Sequence, residues 1–307
     1  MKLVFFGTSE FACPALRALD DRYGIELAVT QPDRPSGRHA ELRPSPVKLV
    51  AIKRGLALIQ PKSINDPEVV KILRDISPDF IVVASYGQLL RAAVFDLPRL
   101  GTINIHASLL PAYRGAAPVN WAIMHGEEES GISTFLIDRG LDTGDILLAE
   151  SLDIGPDETA AELEDRLAQL GSNVILKTLG GLTSGSLQAA RQPQHGVSLA
   201  PSLTRDDGRI DWHQPATRIH DLVRGTIPWP GAWTRMVSNR VKIHRTRLTD
   251  LASGVLHPGK IGLSETNQLL VGTEDQLLEI LELQREGKPR IGGRDFLHGL
   301  HLPASFI

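Results

Sequence analysis

The stretch INIHASLLPAYRG, residues 103–115, places an amide and an imidazole one residue apart, at Asn104 and His106. Residues two apart on an extended strand point to the same face, so both side chains are expected to share one face, opposite Ile103 and Ile105. An amide N–H and a ring N–H that converge on one point can stabilise the oxyanion of a tetrahedral intermediate. The pattern therefore suggests chemistry at a carbonyl carbon.

Acidic residues cluster downstream in IDRGLDTGDILL, which contains Asp138, Asp142 and Asp145. If Asp142 lies beside His106, it would hold the imidazole, favour its charged form and help to pass on a proton that the nucleophile loses. Such a set suits the attack of a neutral nucleophile and needs no Ser or Cys of its own. Direct transfer between two bound substrates is therefore the natural reaction.

Each of these patterns also has a purely structural interpretation. A buried histidine is commonly satisfied by its neighbours, an asparagine commonly ends a strand, and acidic residues are common in turns. The aspartates lack the alternate-residue spacing of a calcium-binding loop. The residues by themselves leave both interpretations open.

The elements that would position these residues alternate regularly in the first half of the chain. Apolar runs typical of buried strands, such as LVFFG, IELAVTQ and GTINIHA, alternate with helical patterns such as SPVKLVAIKRG and DPEVVKILRDIS. This alternation predicts an α/β fold with a Rossmann-like, mostly parallel sheet and helices on both faces. Sites in such sheets lie outside the carboxyl ends of the strands, where Asn104 and His106 fall. A further helix is predicted over residues 157–180.

The pattern changes in the second half. Residues 181–208 lose periodicity and gather Gly, Ser, Gln and Pro, which is typical of a linker. Five short strand-like segments follow in PWPGAWTRMV, RVKIHRTRL, GKIGL, QLLVGT and LLEILELQ, and they predict a small β-barrel of the OB kind. The predicted division is thus 1–180, 181–208 and 209–307.

Composition narrows the class of protein. The 307 residues carry a net charge of −3 and a single cysteine, Cys13, which excludes an intrachain disulfide and a multi-cysteine zinc site. No apolar run is long enough to span a membrane, and the N-terminal MKLVFF is typical of a first strand, so we expect a cytoplasmic protein with no membrane association.

Residues 209–247 nevertheless hold eight basic residues against two acidic ones, an excess of +6. That excess favours a polyanionic partner, or it is simply a solvated face.

Longer motifs resemble a known family. INIHASLLPAYRGAAPVNWAI together with GLDTGDILL closely resembles the folate-dependent formyltransferases. FFGTSEFACPAL, QPDRPSGR, RPSPVK and SYGQLL are similar to the N-terminal domain of members that act on a charged tRNA, in order and spacing. RIDWHQPATRIHDLVRG, PWPGAWT and REGKPRIGGRDFLHG are similar to their C-terminal domain. The resemblance covers nearly the full length.

The resemblance implies a reaction and its site. Members of this kind transfer a formyl group from 10-formyltetrahydrofolate to the α-amino group of methionyl initiator tRNA, in translation initiation. Asn104, His106 and Asp142 match the catalytic residues of the family, and no metal is required. The resemblance also implies folate contacts from the segments around SYGQLL, SLLP and DRGL, and we expect Leu110–Pro111 to be cis. The candidate folate-binding residues are Tyr86, Gly87, Gln88, Leu89, Ser108, Leu109, Leu110, Pro111, Asp138, Gly140 and Leu141.

The resemblance implies two RNA-binding regions. The basic, Pro-rich segment 31–48 resembles the loop with which the family grips the tRNA acceptor end, although this chain has His39, Ala40 and Glu41 where the family usually has a Gly and two Lys. The barrel domain, 209–307, would supply phosphate contacts, which depend little on sequence. The candidate tRNA-binding residues are Arg34, Arg38, Arg43 and Lys48 in the loop, and Arg240, Lys242 and Arg245 in the barrel.

Three other functions compete with this one. The alternative within the family is a formyltransferase that acts on an amino-sugar nucleotide, which would share the catalytic motif. A nucleotide-dependent oxidoreductase fits poorly, since FFGTSEF lacks the G-x-G-x-x-G pattern. An RNA-binding protein without catalysis would not need the Asn, His and Asp set. By resemblance alone, a monomer is expected.

Overall fold

A computed structural model describes residues 1–36, 41–237, 239–254, 256–297 and 304–307. The chain divides into two compact units. The first unit comprises 1–115, 130–152 and 164–200, and the second comprises 116–129, 153–163 and 201–307. The domain limits predicted above stay a prediction. No helix in the described parts of the chain is long and apolar enough to cross a membrane.

The central sheet of the first unit has seven strands within the described chain, in the order β10–β9–β7–β6–β1–β2–β5. The pairs of β1 with β2 and β6, of β2 with β5 and of β6 with β7 are parallel, whereas β7 and β9 are antiparallel. The predicted mostly parallel sheet is thus confirmed. The first eleven strands are β1 (Leu3–Gly7), β2 (Leu27–Val29), β3 (Arg34–Ser36), β4 (Glu41–Arg43), β5 (Leu58–Ile59), β6 (Phe80–Ala84), β7 (Gly101–His106), β8 (Arg114–Gly115), β9 (Glu129–Leu136), β10 (Ile146–Asp153) and β11 (Leu199–Ala200).

Every residue of β1 and β6 is buried, so both faces of this sheet are covered. The helices of the first unit provide this cover. Helix α2 shows how the sequence sets their ends: the Ser45 hydroxyl accepts the N–H of Lys48 at 3.1 Å, and Gly55 stops the helix in the left-handed conformation. The first six helices are α1 (Ala12–Tyr23), α2 (Pro46–Arg54), α3 (Pro67–Ile76), α4 (Ala92–Phe95), α5 (Pro118–Met124) and α6 (Ala160–Ser184). Helix α6 starts three residues later and ends four residues later than predicted.

The second unit contains a curled antiparallel sheet, in the order β12–β13–β16–β15–β14–β18, which confirms the predicted OB-like barrel. The two ends of the sheet meet through backbone hydrogen bonds between Arg235 and Ile307, at 3.0 and 2.8 Å. Inside, the rings of Trp212 and Phe306 stack with centroids 5.6 Å apart. The elements are α7 (Ala216–Gly225), β12 (Ala232–Met236), β13 (Asn239–Ala252), β14 (Lys260–Leu263), β15 (Leu269–Gly272), β16 (Gln276–Arg285), β17 (Ile291–Gly292), α8 (Gly293–Leu297) and β18 (Ala304–Ser305).

Candidate functional site

Strand β7 carries Asn104 and His106 on one face. Ile103 and Ile105, on the opposite face, are buried in the core at 0 and 3% exposure. Asn104 lies opposite Phe135 of the antiparallel neighbour β9, and His106 ends the strand opposite Ser133. Among the described residues, none hydrogen-bonds the Asn104 side-chain amide, and this side chain is only half-buried. The amide is therefore available to a ligand.

The imidazole of His106 is buried and held by one hydrogen bond. Its Nε2 lies 2.9 Å from the carbonyl oxygen of Tyr113, which can only accept, so Nε2 carries the proton. Its Nδ1 lies 3.7 Å from Oδ2 of Asp142. Because Nε2 is already committed to a carbonyl, Nδ1 carries a proton only in the charged imidazolium form. A proton on Nδ1 would therefore point toward the same side of the ring as the Asp142 carboxylate.

Asp142 is fixed by the turn between β9 and β10. Its backbone is left-handed, with φ at 51°, which an aspartate tolerates better than most residues. Its Oδ2 also accepts the backbone N–H of Gly115 at 2.8 Å. The turn is tight at Gly144, where a Cβ atom would lie 1.6 Å from the carbonyl oxygen of Leu136. The structure therefore brings His106 and Asp142 together, as predicted from the sequence.

Asp138, another acidic residue of this turn, is involved in local structure. The carboxylate of Asp138 accepts the N–H of Gly140 at 2.9 Å and the hydroxyl of Thr143 at 2.7 Å. For this residue the turn interpretation of the acidic cluster applies. Leu141 is 59% exposed, so its side chain is open to a ligand.

The turn after β7 is held by buried hydroxyl groups. Ser133 donates to the carbonyl of Ser108 at 2.7 Å and accepts the N–H of Leu110 at 3.0 Å, while the Ser108 hydroxyl donates to Ala112. Leu110–Pro111 is cis, which confirms the prediction. Leu109 packs against Gly131, where a Cβ atom would lie 2.5 Å from the leucine side chain. These predicted folate contacts stay a prediction.

The loop after β6 is also fixed from behind. The carbonyl of Tyr86 accepts the hydroxyl of Thr8 at 2.9 Å and the amide of Gln31 at 2.7 Å. The Tyr86 ring is buried beside Phe6, its hydroxyl finds no hydrogen-bond partner in the described chain, and burial raises the pKa of Tyr86. A Cβ atom at Gly87, where φ is +80°, would lie 2.4 Å from the Gln31 amide nitrogen.

The remaining two candidates in this loop differ in exposure. The side-chain oxygen of Gln88 accepts the N–H of Ile64 at 2.8 Å. Leu89 is 79% exposed. The side chains of Tyr86 and Gln88 therefore stabilise the loop from within the protein, whereas Leu89 and the loop backbone remain open to a ligand.

The loop candidates for RNA binding are partly engaged within the protein. Arg34 donates to Gln31, and Lys48 pairs with Asp33 at 2.6 Å. Hydrogen bonds from Lys48 and then Gln60 hold the pKa of Asp33 below its usual range. Arg43 is exposed, opposite Arg34 in the β3–β4 pair. Arg38 lies outside the described residues.

The barrel candidates lie on β13. Arg240 covers the ring of Trp233, with its guanidinium carbon 3.9 Å from the ring centroid. Val241 and Ile243 point inward, as strand alternation requires. The pairing of β13 with β16 is irregular around Arg245, and the next inward side chain is that of buried Thr246. This irregularity leaves Arg245 exposed on the outside. We call Arg240, Lys242 and Arg245 the basic face.

Not all of the local positive charge belongs to this surface. Arg224, one of the eight basic residues counted in 209–247, is buried in the second unit. It pairs with Asp221 at 2.8 Å and donates to the carbonyls of Gly155 and Glu158. This arginine is structural, so the excess of +6 overstates the charge that is available to a partner.

Sequence reasoning missed the groups that hold the reaction centre in place. These are the Tyr113 carbonyl, the Gly115 N–H and the side chain of Gln192 in the predicted linker. The first two lie within the quoted motif, but a backbone group carries no signal in the residue type. Within the residues that the structure covers, no group of three or more His, Cys, Asp or Glu could hold a metal ion.

Comparisons with known proteins agree with the fold and the motifs. The profile of the family described as "Formyl transferase" matches residues 1–179, and that described as "Formyl transferase, C-terminal domain" matches residues 202–301. A protein of Geobacter metallireducens named "Methionyl-tRNA formyltransferase" is 45% identical over 98% of this chain and 96% of its own length.

Two solved structures show the same fold at low sequence identity. A methionyl-tRNA formyltransferase from Clostridium thermocellum is 18% identical, with a TM-score of 0.56 over 81% of this chain and 94% of that one. WlaRD, a sugar 3N-formyl transferase studied with dTDP and 5-N-formyl-THF, is 18% identical, with a TM-score of 0.69 over 94% of this chain and 99% of that one. On the family match and the full-length identity, the chain belongs to the formyl transferase family.

Proposed function

We propose that this protein transfers a formyl group from 10-formyltetrahydrofolate to the α-amino group of methionyl initiator tRNA. The observation that carries the proposal is the placement of His106 Nδ1 3.7 Å from the Asp142 carboxylate, on the strand face that also presents Asn104. Identity of 45% over nearly the whole length to a protein named methionyl-tRNA formyltransferase supports the choice of acceptor. The protein acts in translation initiation in the cytoplasm, as a monomer.

The mechanism uses the three side chains in distinct roles. The uncharged α-amino group attacks the formyl carbon, so a C–N bond forms and the formyl oxygen becomes an anion. The amide of Asn104 and the imidazolium Nδ1 of His106 donate to that oxygen. Asp142 stabilises the imidazolium and helps to relay the proton that the amine loses. That proton reaches N10 of the co-substrate as the bond from N10 to the formyl carbon breaks.

The co-substrate is proposed to lie against the loops after β6 and β7 and the β9–β10 turn. Leu89 and Leu141, both more than half exposed, would cover its apolar surface. Backbone groups of Gly87, Gln88, Leu109 and Gly140 would contact its polar edge. The remaining folate candidates support these loops from behind, because the Tyr86 carbonyl, the Ser108 hydroxyl and the Asp138 carboxylate form hydrogen bonds within the protein.

The RNA is proposed to contact the basic face and Arg43 directly. Arg245 and Arg43 are exposed, and the guanidinium of Arg240 packs on the ring of Trp233. Arg34 and Lys48 are engaged with Gln31 and Asp33, so they are proposed to contribute less to RNA contact than Arg43. The candidate role of Arg38 rests on the family resemblance.

A formyl-transfer assay tests the proposal. The purified protein is incubated with 10-formyltetrahydrofolate and, in separate arms, methionyl initiator tRNA, uncharged initiator tRNA and a dTDP-amino sugar. Formylation of the methionyl-tRNA alone supports the proposal. Formylation of the sugar would establish the alternative acceptor within the family, and tight RNA binding without transfer in any arm would indicate a binding protein.

A further inference from the structure

The segment 190–200, which we call the strap, crosses the first unit beside the reaction centre. At one end Ala190 and Ile146 exchange two backbone hydrogen bonds of 2.8 Å. At the other end Ser198 accepts the backbone N–H groups of Tyr113 and Arg114, and β11 pairs with β8. The strap is therefore fixed at both ends by hydrogen bonds that do not involve residue 192.

Gln192 lies between these anchors and uses its whole side-chain amide. Its Nε2 donates to the carbonyls of Asp142 and Gly144, each at 2.8 Å. Its Oε1 accepts from the guanidinium of Arg114, at 2.6 Å from Nη2 and 3.2 Å from Nε. One side chain thus joins the turn that carries Asp142 to strand β8.

These contacts complete a ring around Asp142. The residue after Arg114 is Gly115, whose N–H donates to the Asp142 carboxylate at 2.8 Å. Gln192 therefore holds the Asp142 backbone directly. Through Arg114 it also holds strand β8, whose Gly115 N–H binds the Asp142 carboxylate. Gly115 permits this approach, since a Cβ atom there would lie 2.6 Å from the Ala200 carbonyl in the strap.

We infer that Gln192 is a positioning residue that fixes the Asp142 carboxylate against His106 for formyl transfer. The inference rests on the proposed function, because it concerns the rate of that reaction. Asp142 sits 3.7 Å from Nδ1 in a left-handed backbone conformation, and no helix or long strand holds it there. Small displacements of a reacting group can cost up to about a hundredfold in rate.

The test compares two variants with a control. Gln192→Glu has the same shape and keeps the acceptor for Arg114, but it cannot donate to the two carbonyls; Gln192→Ala removes the amide without adding charge. Gln194→Ala, two residues along the strap at an exposed position, is the control. Because the strap anchors do not involve residues 192 and 194, all three variants are expected to fold, and circular dichroism at the assay temperature checks this.

We expect kcat to fall about 10- to 100-fold in both Gln192 variants. KM for 10-formyltetrahydrofolate should stay within about twofold, and the control should match wild type. In a double-mutant cycle, Gln192→Ala should add almost nothing to Asp142→Ala, because the two residues act through one group. A merely structural role for Gln192 would make the two losses multiply.

Two results would overturn the inference: a wild-type kcat in both Gln192 variants, or a loss that multiplies with that of Asp142→Ala. The wild-type assay separates this outcome from a failure of the proposed function. If wild-type protein does not formylate methionyl-tRNA, the proposed function is wrong. If it does so and the Gln192 variants do so equally well, only the inference about Gln192 is wrong.

Discussion

The reaction centre and the basic face use polar residues in opposite ways. The His106 ring is buried and the Asp142 carboxylate is partly buried, and hydrogen bonds to backbone groups and from Gln192 hold both residues in place. On β13, Arg245 projects from the surface and Arg240 rests only on the face of an aromatic ring. The contrast follows from the task, since stabilising one oxyanion needs fixed geometry, whereas attracting phosphates needs charge that can adapt.

The largest effect is expected from the two oxyanion donors. His106→Ala or Asn104→Ala removes a donor that is worth about 3 kcal/mol in a well-formed oxyanion site, so kcat should fall at least about a hundredfold. Steady-state formyl transfer with methionyl initiator tRNA measures this, and KM for the tRNA should change little. Near-normal turnover in either variant would remove these residues from the catalytic role.

A smaller loss is expected from Asp142→Asn. The amide still offers an oxygen to the Gly115 N–H, so the turn should keep its shape. Without the negative charge, the imidazolium of His106 loses its stabilising partner, and kcat should fall about 10- to 100-fold. Thermal unfolding should be close to that of wild type. A large drop in melting temperature with normal kcat in the folded fraction would show that Asp142 is structural.

Substitutions in the basic face should change the salt dependence of tRNA binding and leave the rate of the chemical step unchanged. Replacing Lys242 and Arg245 with Ala should raise KM for the tRNA and leave kcat near wild type. It should also reduce the slope of log K against log salt by about one for each phosphate that the protein no longer neutralises. Binding is measured from about 50 to 200 mM salt, the range over which such slopes are pronounced. Lys71→Ala, an exposed lysine on α3, is the matched control. An unchanged slope would mean that this surface is only solvated.

The smallest effect concerns pH and the stability of the barrel. Burial, followed by the nearby cations Arg290 and Lys242, lowers the pKa of His244, while Gln284 and Glu282 partly oppose the shift. The unfolded state then binds the proton more readily, so this histidine adds stability above its unfolded pKa of about 6.5 and loses it as the pH falls.

His244→Asn should therefore flatten the rise in melting temperature that accompanies an increase in pH up to the unfolded pKa of about 6.5. Exposed His257→Asn serves as the control and should leave that rise intact. An equally steep rise in the His244 variant would show that other groups account for it.

The sequence predicted features that depend on local pattern. The shared face of Asn104 and His106 followed from strand periodicity, and the helical pattern SPVKLVAIKRG became helix α2. Five short apolar runs sufficed to predict the barrel, since each became a strand. Such features are fixed by residues that are close in the chain.

Features that depend on distant partners were not predictable from residue pattern alone, and the pairing of His106 with Asp142 was expected mainly through the family resemblance. Gln192 lies in a segment without periodicity, and its role appears only when folding brings it to Asp142, 50 residues away. Charge was equally ambiguous, because Lys48 and Arg224 look like surface cations in the sequence and pair with Asp33 and Asp221 in the fold. A residue type shows that a charge is present, but it does not show which group neutralises it.

The most direct test of the catalytic roles of His106 and Asp142 is the rate of formyl transfer by the double variant His106→Ala/Asp142→Ala. Because Asp142 is proposed to stabilise the imidazolium and to relay the amine proton by way of that ring, removing it from the His106→Ala protein should lower kcat by less than about threefold. A further loss equal to that of Asp142→Ala in the wild-type background would show that the two residues act independently, and it would contradict the catalytic set proposed for this site.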